Sequence, residues 1–110
     1  MNLDAEDQKL VTLAKGARGR IGVAAGAAVR DQDGRTYSGA AVVVGENSYG
    51  ALELAVATAV ASGAKSLEAG CVAGDSATAH DVAIFRAIAQ SGAALIAADG
   101  AGSVLSVTHE

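Results

Sequence analysis

Proline and tryptophan are absent from this sequence, and one cysteine, Cys71, stands alone in 110 residues. A single cysteine excludes an intramolecular disulfide framework. Aromatic residues make up 3% and the net charge is −4. Nucleic acid is therefore not an expected partner, because it wants a basic surface and stacking platforms. No apolar run reaches the length of a membrane span, and the opening MNLDAEDQK does not read as a signal peptide. The expectation is a soluble cytoplasmic protein with no membrane partner.

What is present is small and apolar. Hydrophobic residues make up 51% and charged residues 18%, the balance of an ordered globular chain. Residues 1–110 read as a single domain. Its core is small enough that oligomerisation would help it. Ala, Val and Gly suit thin, tightly packed layers.

One stretch organises the rest. Asn47–Gly63, NSYGALELAVATAVASG, reads as a buried helix with Leu52, Ala55, Val56, Ala59 and Val60 on one stripe at helical period. Asn47 or Ser48 is the expected N-cap, and Gly63 the expected end, taking the left-handed conformation. Its alanines keep it thin, so a sheet or a partner helix can approach closely.

In chain order, Asp4–Ala17 predicts a first helix, capped by Asp4, with Leu10, Leu13, Ala14 and Ala17 inward and Gly16 and Gly19 at its exit. The run Ile21–Arg30 becomes a strand by Gly26. DQDG at 31–34 is a hairpin turn, and Thr36–Val44 is the returning strand, apolar on both faces and so expected inside the sheet. Ser66–Ala73 is a third strand. Asp75–Ser91 is a third helix, capped by Asp75 or Ser76, with Ile84, Ala87 and Ile88 inward. Ala94–Ala97, a DGAG turn at 99–102 and Val104–Val107 complete the order. A hairpin followed by crossovers through helices implies an α/β fold, a three-layer α-β-α sandwich with a mixed five-stranded sheet and helices on both faces.

That order, with certain residues, resembles the cytidine deaminase family. Gly26-Ala27-Ala28-Val29 is similar to the family's first strand. Asp33-Gly34, Tyr37 and Gly39 are similar to its hairpin, and Ala51–Val60 sits where the family carries its first metal-binding helix. The resemblance implies a zinc-bound water as nucleophile and a glutamate that shuttles protons. The residues for that chemistry do not carry over. In the gapless register the first ligand falls on Leu52 and the glutamate on Leu54. Sliding by one residue brings Glu53 into the glutamate's place but puts Ala51 at the ligand. The family's two further cysteines follow a proline, and this chain has neither the proline nor a second cysteine. By position they fall near Asp81 and Ile84. The ribose-gripping positions read as Ala41 and Val43, and a phenylalanine position reads as Val23.

Each remaining candidate has a plain alternative. Cys71 lies in an apolar strand, where a lone cysteine behaves as a small hydrophobe. A metal site from Cys71, His80 and Asp81 is conceivable, but three tetrahedral ligands are not evident. Glu53 is a surface or interface carboxylate before it is a catalytic base. The Gly74-Asp75-Ser76 loop is a cap before it is an anion site. Arg18 and Arg20 are a solvated pair, and His109 belongs to a disordered end.

The expectation is a zinc-free, catalytically inactive relative with no cofactor, acting as an oligomeric binding or scaffold module. The resemblance implies a homodimer or homotetramer with helices packed between subunits. A protein partner or a nucleoside-like ligand completes that reading. The alternative is a zinc-dependent hydrolytic deaminase of cytidine or a related nucleoside using an atypical site. Leu52 and Leu54 are expected to help fill the deaminase pocket.

Overall fold

The structure is a computed structural model that describes residues 3–110. Its first helix, α1 (Ala5–Ile21), begins on Asp4, whose Oδ1 accepts from the Asp7 N–H at 2.8 Å. It runs past Gly16 and Gly19, and stops where Gly22 turns left-handed at φ 65°. The expected exit was thus one turn too early: exposed glycines inside a helix weaken it without ending it.

Strands β1 (Ala25–Asp31) and β2 (Thr36–Ala40) form the expected hairpin, with Gly34 at φ 80°. Asp31 builds that turn. Its Oδ1 accepts from the Asp33 and Arg35 N–H groups, and its Oδ2 from the Tyr37 hydroxyl at 2.9 Å. Burial opposes the Asp31 charge, but the hydrogen bonds from Asp33, Tyr37 and Arg35 outweigh it and hold the carboxyl below its ordinary value of 3.8.

The returning strand differs from its expectation. It ends at Ala40 and lies at the sheet's edge rather than inside it. Helices cover both of its faces there, which is what its two-sided apolar pattern reflects. Val42–Val44 (β3) leaves the sheet and pairs with Asn47–Tyr49 (β4) in a small exposed hairpin. Asn47 and Ser48 are therefore strand residues, and α2 (Ala51–Ala61) starts after Gly50. Leu52, Ala55, Val56 and Ala59 are buried as expected, while Val60 is 51% exposed.

Strand β5 (Leu67–Gly74), helix α3 (Ala79–Ile88), β6 (Ala89–Ala98) and β7 (Val104–His109) complete the chain. The sheet order is β2-β1-β5-β6-β7, with β5 and β6 parallel and every other neighbour antiparallel. Helix α3 starts at Ala79, four residues later than expected, with Thr78 as its N-cap, and buries Phe85 rather than Ile84, Ala87 and Ile88. Ala87 is exposed, and both isoleucines are half-buried. His109, expected to be disordered, lies in β7 opposite Ala94, with Nδ1 3.2 Å from the Gly92 carbonyl oxygen.

The sheet separates two cores. On one face Leu10, Val11 and Ala14 of α1 pack on Ala28, Ala69, Cys71, Ala73 and Ile96. On the other, Leu52, Ala55, Val56 and Ala59 of α2 and Phe85 of α3 pack on Ala27, Val29, Leu67 and Val72. Both helices ride close to the sheet because glycine faces them. A Cβ at Gly26 would strike the α1 backbone at Ala14, and one at Gly39 would strike the α2 backbone at Ala51 and Ala55.

Candidate functional site

The N-terminal turns of α2 and α3 meet, and three of the residues singled out in sequence lie at that junction. Gly50 is the N-cap of α2, and its N–H donates to Glu53 Oε1 at 3.0 Å. Glu53 Oε2 lies 3.2 Å from His80 Nε2. The His80 side chain is 67% exposed, so the pair stands at the rim. Asp81 sits beneath it, 4% exposed. Its Oδ1 accepts from the Glu53 N–H at 3.0 Å, and its Oδ2 from the Thr78 N–H at 3.1 Å. Thr78 returns the bond, its hydroxyl accepting from the Asp81 N–H. Thr78-Ala79-His80-Asp81 is thus a capping box. That four-residue spacing was a legible signal for the true start of α3.

Three of the candidates therefore come together: Glu53, His80 and Asp81. Cys71 does not join them. It faces the α1 core on the opposite side of the sheet, fully buried, and burial pushes its thiol up to about 12. Such a thiol is neither a nucleophile nor a ligand at neutral pH.

The positions set against the family's metal ligands can be tested for fit. Leu52 is fully buried in the α2 core and has no donor atom. Ile84 packs half-buried against the same core. Asp81 has donor atoms, but both oxygens accept from backbone amides. Among the described residues, no three His, Cys, Asp or Glu side chains are arranged to hold a metal ion. This donor set does not fit zinc. Leu54, at the glutamate's position, is half-buried and lies against Gly39 of β2.

The positions set against the sugar contacts also cluster. Val23, Ala41 and Val43 line one shallow hollow of about 330 Å³ with Ala24, Val42, Ser48 and Tyr49. No carboxylate or amide side chain lines it, and Val43 is 71% exposed. The Gly74-Asp75-Ser76 loop is not at a helix start, since α3 begins at Ala79, and the Asp75 N–H donates to the Ala24 carbonyl. Arg18 is no free cation site either. Its Nε donates to that same carbonyl at 3.3 Å, and its guanidinium lies over Gly74 and Gly100.

A model of the family described as "Cytidine deaminase-like" matches residues 3–102. The chain belongs to the cytidine deaminase-like family. Solved structures of the family share its fold. The cytidine deaminase from Burkholderia pseudomallei superposes with a TM-score of 0.79 at 21% identity, covering 92% of this chain and 90% of that one. The cytidine deaminase from Mycobacterium leprae gives 0.72 at 16% identity, covering 86% and 89%. A mutant cytidine deaminase from Mycobacterium tuberculosis gives 0.70 at 18%, covering 87% and 85%. No curated protein matches the chain at a significant level. At these identities the likeness carries the cytidine deaminase-like fold, while the chemistry rests on the residues at the junction.

Proposed function

We propose that this chain is a catalytically inactive, zinc-free member of the cytidine deaminase-like family that serves as an oligomeric binding or scaffold module in the cytoplasm. One observation supports the reading: the positions set against the family's metal ligands are Leu52, Asp81 and Ile84, the glutamate's is Leu54, and each Asp81 oxygen already accepts from a backbone amide. The outer face of the same two helices supports the oligomeric part. Val56, Ala57, Val60, Ala61, Ile84 and Ile88 line an open apolar groove with Glu53 at its end. Exposed apolar surface of this kind marks interaction sites. Among the described residues, no helix is long and apolar enough to cross a membrane.

The test is zinc per chain by elemental analysis, after purification without chelators, with molar mass by light scattering. Near-zero zinc and a dimer or tetramer are the expected results. Val60→Glu is expected to shift the mass toward the monomer, and an unchanged mass would remove the groove from the interface.

The second reading, a zinc-dependent hydrolytic deaminase of cytidine or a related nucleoside with an atypical site, draws on the Glu53–His80 pair. About one zinc per chain together with cytidine turnover would establish it in place of the first. A nucleoside-like ligand without turnover would raise the melting temperature, and the rise would grow with the logarithm of ligand concentration above its Kd.

A further inference from the structure

Gly50 brings no side chain to the start of α2, yet the amide that it would cap is satisfied. An N-cap side chain ordinarily accepts from an N–H two or three residues on. Here the Glu53 N–H donates to Asp81, 28 positions away in sequence. A Cβ added at Gly50 would fall on the Asp81 carboxylate. The Asp81 carboxyl group therefore stands where a side chain of residue 50 would begin. Its other oxygen accepts from the Thr78 N–H at the start of α3. One buried carboxylate thus closes the first turns of two helices, each of which presents a partial positive charge there.

We infer that Asp81 is a built-in ligand, a carboxylate carried on α3 that fills the junction of two helix N-termini in place of an exchangeable metal ion or anion. A metal cation would compete with two N–H donors for the same oxygens and would face two positive helix ends. An external anion enters only if Asp81 leaves. The junction is closed to both, and α2 is held to α3 without a metal. The inference rests on the zinc-free reading above, and its test reads the two separately: metal content reads zinc, and the sign of a second substitution reads the cap.

The experiment uses the full chain and four proteins: the parent, Asp81→Ala, Gly50→Ser, and the double variant. Melting temperatures are measured with sodium formate and with sodium chloride at equal ionic strength. Asp81→Ala is expected to lower Tm by about 10–15 °C, the size of an acceptor lost to two helix ends in a domain of this length. Formate, a carboxylate that can refill the junction, raises the Tm of that variant and leaves the parent unchanged. Gly50→Ser lowers the parent's Tm by clashing with Asp81, and raises the Tm of Asp81→Ala by supplying a local cap. A Gly50→Ser effect of the same sign and size in both backgrounds overturns the inference, as does an Asp81→Ala variant with the parent's Tm. If Asp81→Ala alone does not fold, the double variant must, and its failure also overturns it. Zinc bound at one per chain by the parent and lost on Asp81→Ala makes Asp81 a metal ligand and sinks both readings.

Discussion

Two helices of this protein begin on the same chemistry and at very different distances. The first amides of α1 are met by Asp4, the residue directly before it, on an exposed surface. The first amides of α2 are met by Asp81, which belongs to α3 and is buried. A local exposed cap fixes one helix end. A remote buried cap fixes that end and the relative placement of two helices. The cost of losing each should differ accordingly, because Asp4 serves one amide on an exposed turn while Asp81 serves amides of two different helices.

The largest break should come from Asp81→Ala, which leaves the Glu53 and Thr78 N–H groups, at the starts of two helices, without their acceptor. A loss of about 3 kcal/mol is expected in urea unfolding, and a loss under 1 kcal/mol would erase the distinction between the two caps. Gly50→Ala is expected next, at about 2 kcal/mol, because its Cβ meets the Asp81 carboxylate and that group must shift. A neutral result would mean that the junction is loose enough to yield. Asp4→Ala should cost about 1 kcal/mol, with hydrogen exchange quickening only in the first turn of α1. The smallest effect is a slope. Asp31 is another local device, and its carboxyl is held below 3.8. A depressed value means that its contribution is whole above pH 3.8 and is lost as pH falls through the folded-state value. Asp31→Asn should therefore flatten the parent's stability curve on the acid side and leave its shape unchanged near neutrality.

The same contrast explains what could be read from the chain. Asp4, the DQDG turn and the Gly63 stop are local, and each was legible because its partners lie within a few residues. The five-stranded sheet with helices on both faces followed from the order of elements. The start of α2 was misplaced because Gly50 carries no sign of a cap whose acceptor is 28 residues away. The β3–β4 hairpin was hidden for the opposite reason: Val42–Val44 looks like core in sequence, yet Val43 and Val44 are exposed. At the site, it was the resemblance to the family that set Leu52, Asp81 and Ile84 at its ligand positions, and the structure brings Asp81 against the start of α2. That Asp81 would serve α2 could not be read, since hydrogen bonds between distant segments leave no periodicity.

Cys71 has a use that its chemistry alone does not suggest. It is the only thiol in the chain, it is sealed beneath α1, and burial holds it protonated. A thiol reagent can reach it only when α1 lifts from the sheet or the domain opens, so its labelling rate is a clock on that event. Read beside the Asp81 variants, that clock separates a junction that pins two helices on one face from one that steadies the whole molecule.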